Sequence, residues 1–277
     1  MEALQEIGGI FLSMSLLAAF GVKGEHNKQA RQAILSLGAQ VASHVVAVLR
    51  LVQGGLDVQA RIISRSCIEA ADLMVACQID DQLAAKFVAC ESAEEANGFW
   101  YSEVAKGRLE KGTRGYFEKQ FPTLNESRRE FASWRADEMR AMGWAVHPSH
   151  MSGVASLLEM RVDSPGTEEV ETKEAALERD WSVMSSRTLD FLLACLGSAL
   201  VDLNLVAARR FGGLKNMLKL PRKKLPPDVR LMFAAGQRHL KTVAALTTPT
   251  LLNAPSITKT IRQALKNPAD LHNQGLA

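Results

Sequence analysis

Along nearly the whole chain, apolar side chains recur every three or four residues and almost nowhere alternate with polar ones in steps of two. A stripe with that period can be buried only by a helix, because a strand would send its members to opposite faces. Val58, Ile62, Ile63, Cys67, Ala70, Leu73, Met74 and Cys77 show it most clearly. Aromatic residues make up only 6% of the chain, and runs of Val, Ile, Thr and Tyr alternating with polar residues are missing, which favours helix further. The expected fold is all-α, a multi-helix bundle of about six to eight helices.

Glycine, proline and capping residues divide the pattern. A first helix over 2–20 ends at Gly21 and Gly24, and Asn27 caps a second that runs to Gln53 before Gly54-Gly55. Asp57 is placed to cap a third helix reaching about Gln78. Asp80 opens a fourth that continues through Phe99, Trp100 and Tyr101 to about Lys111, with the Trp and Tyr side chains expected in packing roles. Gly112-Thr113-Arg114-Gly115 reads as a loop. A fifth helix starts near Thr123, with Glu126 in capping-box spacing, and must end or kink at His147-Pro148. Residues 151–161 suit a short helix, and the acidic 162–172 stretch suits an exposed loop. A long helix from about Lys173 to Arg210 then stops at Gly212-Gly213. This gives a bundle domain over 1–213 and a small basic appendage over 214–277, broken by prolines and carrying short helices.

The four cysteines form no Cys-x-x-Cys pair and sit in apolar helical patterns, so buried reduced thiols are expected. The apolar stretch Ile7–Val22 is shorter than the roughly 20 residues of a membrane span and follows Glu2 and Glu6, where a signal peptide carries Lys or Arg. The second, Phe191–Ala208, is interrupted by Asp202 and Asn204. Both read as helices in the middle of a bundle, with no membrane contact and a cytoplasmic location. The net charge of +3 hides an asymmetry. Residues 1–206 hold 20 Lys and Arg against 28 Asp and Glu, whereas 207–266 hold 13 against a single acid, Asp228. A basic quarter on an acidic body implies either an anionic partner or electrostatic docking between the two. Arg222, Lys223, Lys224 and Arg230 are the candidate phosphate-binding residues. Few aromatics lie among them, so base stacking finds little support.

Chemistry concentrates around His147. Arg140 precedes it on the fifth helix, and Arg61, Arg65, Glu69 and Asp72 are spaced four, four and three apart on the third, so they share one stripe. If that stripe faced the end of the fifth helix, Glu69 would orient the imidazole while Arg65 and Arg140 bound an anion. Such a set suits metal-independent RNA cleavage, in which a His moves the 2′-hydroxyl proton and an Arg stabilises the phosphorane. The competing readings are an Arg65–Glu69 surface ion pair and His147 as a helix C-cap.

An Arg followed some residues later by a His, late in a helical bundle, resembles the HEPN superfamily. Arg65-Ser-Cys-Ile-Glu69 and Val146-His147-Pro148-Ser149 are also similar to a bacterial family of helical proteins with an Arg-x-x-x-Glu helix and a later His. This resemblance spans roughly residues 30–210 and leaves the basic segment uncovered. It implies a ribonuclease acting as a toxin or phage-defence effector, with its site at a homodimer interface and an antitoxin or defence-system protein as partner. The chain departs from the HEPN pattern at Ala141, where a polar residue is common.

Other chemistries find less support. His147 and His150 could hold a metal with Glu69 or Asp72, but Pro148 separates them and no Glu-x-x-His pair exists, so no metal site is expected. No Gly-x-x-x-x-Gly-Lys-Ser/Thr or Gly-x-Gly-x-x-Gly run implies a nucleotide cofactor, and none is expected. Two further functions stay open: a non-catalytic helical module that binds protein or nucleic acid through its basic segment, and a small-molecule or nucleotide sensor.

Overall fold

Two glycines let the first pair of helices come together. Helix α1 (Glu2–Ala19) runs antiparallel to α2 (Lys28–Gln53), with Gly8 against Val45 and Gly38 against Phe11 and Ser15. The Ser15 hydroxyl donates to the Leu35 carbonyl across the same contact. The structure is a computed structural model that describes residues 1–19, 28–146 and 168–218, with the backbone alone at 106, 141, 144–146, 168–185 and 215. Among these residues every element is helical, and the all-α bundle expected from the apolar period is what forms.

Helix α3 (Asp57–Ile79) lies at the centre, touching neighbours on most sides, so its apolar residues are spread around the helix rather than on one stripe. It is antiparallel to α2, tied by Cys67 Sγ to the Val41 carbonyl at 3.6 Å and by buried Gln78, whose Nε2 donates to the Ala30 carbonyl at 2.7 Å. Short helices α4 (Asp81–Val88) and α5 (Ala93–Phe99), then α6 (Arg108–Gln120) and α7 (Asn125–Val146), carry the chain around α3 to the long α8 (Glu168–Phe211). A single turn, α9 (Leu214–Met217), follows, and Met217 and Leu218 pack into the core. Helix α8 runs parallel to α3: Thr188 meets Asp57 at one end, and Arg210 donates to the Gln78 and Ile79 carbonyls at the other. That arginine also reaches Asp81 at 3.0 Å, so it satisfies the open carbonyl end of α3 and the acidic start of α4 together. Helix α7 is antiparallel to α8, as the Arg128–Asp202 and Arg187–Glu138 pairs require.

Several local readings are corrected. Asp57 is not a cap: Leu56 holds that position with no side-chain cap, and the buried Asp57 carboxylate turns to Arg61 and Thr188 instead. Residues 80–111 are not one helix. The chain breaks after Val88, restarts with a capping box of Ser92 and Glu95, passes a π-turn over Trp100–Val104, and turns at Gly107 with φ +71°. Gly112–Gly115 lies inside α6, where both glycines face solvent and cost only propensity. Pro122–Leu124 forms a 3₁₀ turn, so α7 begins at Asn125 rather than Thr123. Helix α8 begins at Glu168, inside the expected acidic loop. Trp100 and Tyr101 are 41% and 66% exposed, so of the core and interface packing expected for them the core is excluded.

Of the two apolar stretches weighed as membrane spans, the described part of the first, residues 7–19, lies in α1, with Ile7, Ile10, Phe11, Met14 and Leu17 buried. The second lies in α8, whose portion Ser186–Phe211 is, like α2, long and apolar enough to cross a membrane by length and composition. Most of that portion of α8 is buried inside the bundle. Gly21, Gly24, Asn27, the 151–161 helix and the segment beyond 218 lie outside the described residues.

Candidate functional site

The stripe on α3 exists, but its members find different partners. Arg61 is buried and donates from Nε to Asp57 at 2.7 Å, while the other oxygen of Asp57 accepts from Thr188 of α8 at 3.1 Å. Arg65 and Glu69 pair with each other at 3.2 Å, each about one-third exposed. An i,i+4 pair in that setting contributes a few tenths of a kcal/mol. Asp72 receives both terminal nitrogens of Arg135 from α7.

Arg140 does not join this set within the chain. It lies five residues beyond Arg135, which turns it about 140° around α7 from the direction that meets α3. It is accordingly exposed and paired with Asp137 at 3.0 Å. The axial level is different: from the Arg135–Asp72 contact, α7 runs about 16 Å to Val146, which brings its end level with the Arg61–Arg65 part of α3 to within about a turn. His147 itself, with Arg222, Lys223, Lys224 and Arg230, lies outside the described residues.

The most elaborate polar arrangement was not singled out from sequence. Two arginines seven residues apart on α7 each bind an aspartate on a different helix: Arg128 grips Asp202 of α8 and Arg135 grips Asp72 of α3, both through two hydrogen bonds. Spacing by two turns puts both guanidinium groups on one face, so α7 is clamped to α3 and α8 together. Arg128 also lies 3.8 Å over the Phe117 ring of α6, and Trp134 packs between Phe131 and Phe191. Burial pushes the Asp202 carboxyl above the ordinary carboxylate range, and Arg128 pulls it back in part. Burial works against the charge on Arg135, but Asp72 outweighs it and holds the guanidinium above its ordinary value.

These pairs form one wall of a cavity of about 410 Å³ between α3, α6, α7 and α8. Two more pairs stand around it, Arg114 with Glu110 on α6 and Arg129 with Glu118 at 3.9 Å. Asn125, at the start of α7, lines it too, and its buried Oδ1 meets no hydrogen-bond donor among the described residues.

A second polar spot is closed to ligands. The α2–α3 register puts His44 opposite Ser64, and neither the His44 Nδ1 nor the Ser64 hydroxyl has a partner among the described residues. Burial lowers the pKa of His44, but Ser64 is wholly buried, which keeps a substrate from it. Cys67, Cys77 and Cys195 are buried as expected, their thiols pushed up to about 12 by desolvation, so they are unreactive. Cys90 is only half-buried. Among the described residues no group of three His, Cys, Asp or Glu is placed to hold a metal ion.

The sequence did signal part of the clamp. Asp202 interrupts an otherwise apolar run, and a carboxylate there needs a partner. Which arginine supplies it depends on how the helices are arranged. Compared with protein-family models, curated proteins and solved structures, the chain matches none.

Proposed function

We propose that the chain is a HEPN-like, metal-independent ribonuclease, a toxin or phage-defence effector that works as a homodimer. The setting of Arg140 supports this reading most. It faces outward near the end of α7, and its partner Asp137 is equally exposed, so a phosphate group can replace that carboxylate at little cost. Because it points away from the α3 stripe of its own chain, the halves of the site meet across the dimer. Arg140 of one protomer holds the scissile phosphate together with Arg65 of the other. His147 of that second protomer moves the 2′-hydroxyl proton, and its own Glu69 orients the ring.

The test is cleavage of total RNA by purified protein in the presence of a metal chelator, with wild type beside His147→Ala and Arg140→Ala. Loss of a general acid–base group should lower the rate by about 100-fold or more. Mixing the two inactive variants should restore part of the activity, because a heterodimer carries one intact composite site. Intact RNA with wild type, or equal cleavage by all three proteins, would sink the proposal. The charge asymmetry supports a second reading, a non-catalytic module that binds nucleic acid or a protein partner through Arg222, Lys223, Lys224 and Arg230.

A further inference from the structure

The cavity between α3, α6, α7 and α8 has no part in RNA cleavage as proposed above. Its volume, about 410 Å³, falls in the range of small-molecule sites. Its charge is balanced group by group. The four arginines and four carboxylates around it are matched as Arg114–Glu110, Arg128–Asp202, Arg129–Glu118 and Arg135–Asp72. An anion entering would have to displace a carboxylate, and a cation an arginine, so a charged ligand gains little.

What the walls offer instead is hydrogen bonding beside an apolar surface. Asp72 and Asp202 are engaged by arginines, but each carboxylate oxygen keeps a lone pair for a further donor. Leu124, Phe131, Val201 and Leu205 supply flat apolar surface for a ring. Carboxylate acceptors and apolar side chains lining one cavity suit an uncharged planar heterocycle with N–H donors. We propose that this cavity is a binding site for a free nucleobase or nucleoside, separate from the nuclease centre.

The experiment is calorimetric titration of the full chain with adenosine, guanosine, cytidine and uridine in turn, followed in parallel by tryptophan fluorescence, since the Trp134 ring packs tilted against the cavity residue Phe131, with 5.6 Å between centroids. At least one nucleoside should bind with a dissociation constant on the order of tens to hundreds of micromolar, as expected for a ligand of that size. Ala132→Trp, which fills the cavity from the half-exposed face of α7, should abolish it at unchanged melting temperature. The matching nucleoside 5′-monophosphate should bind no more tightly, because the walls carry no net charge. The proposal is overturned if no nucleoside binds at several millimolar, if Ala132→Trp binds like wild type, or if the monophosphate binds 10-fold more tightly. The same titration with Arg140→Ala keeps the two readings apart, since that side chain does not line the cavity.

Discussion

Arg128 and Asp202 show how much one buried pair can decide. Asp202 is 8% exposed, and two guanidinium nitrogens of Arg128 face its carboxylate. Removing the arginine leaves that charge in place with no partner, which costs about 3–5 kcal/mol for a fully buried pair. Water reaches Arg128, so the loss expected for Arg128→Met is nearer about 2 kcal/mol by urea denaturation. Arg128→Met combined with Asp202→Leu should recover most of it, since the orphaned charge is then gone as well. The pH dependence follows with a definite sign. Burial raises the Asp202 pKa above the unfolded 3.8, so the folded chain binds this proton more readily and gains stability as pH falls through the raised value. Without Arg128 that window moves to higher pH. The melting temperature of Arg128→Met should therefore recover towards wild type as the pH falls. Parallel pH profiles for the two proteins would mean that Asp202 is not the group responsible.

Helix α1 depends on how closely it can approach α2. A Cβ at Gly38 would sit 2.9 Å from the Phe11 carbonyl oxygen and 3.2 Å from the Ser15 Cβ, and a backbone oxygen cannot move aside alone. Gly38→Ala should push the helices apart and strain the Ser15–Leu35 hydrogen bond, with a net loss of about 1–3 kcal/mol despite the better helix propensity of alanine. Gly9, on α1, faces open space, so Gly9→Ala should instead gain up to about 1 kcal/mol, and a pair of thermal melts checks both signs. The same contrast explains what could be read from sequence. The long helices are legible because their apolar period exceeds local disturbance, as in α3, where Val58, Cys67, Met74 and Cys77 are all buried. Solvent-facing glycines such as Gly112 and Gly115 mislead, since a glycine can sit in a helix at modest cost if nothing else demands a turn. The Arg61–Asp72 stripe is legible from spacing within one helix. The clamp of Arg128 and Arg135 is not, because it needs three helices in a particular order.

At the scale of the whole molecule, the basic quarter has two places to go, the acidic body or an RNA backbone. The excess of acid over base in residues 1–206 suggests a surface on which Arg222, Lys223, Lys224 and Arg230 could dock. Many of those acids are already engaged inside the bundle: Asp57, Glu69, Asp72, Glu103, Glu138 and Asp202 each hold a Lys or Arg of the body itself. Those pairs cancel one for one and leave the acid excess of the body unchanged, so docking on the body and binding to an RNA backbone, with a phosphate at every nucleotide, are told apart by salt dependence. Each phosphate neutralised on a single strand contributes about 0.7 to the slope of log affinity against log salt, so replacing these four residues by alanine should reduce that slope by up to about 3. Filter-binding of a single-stranded RNA to the His147→Ala chain, across a series of salt concentrations, measures it without cleavage. A slope unchanged by the four substitutions would mean that these side chains touch no phosphate, and the basic quarter would then belong to a protein contact.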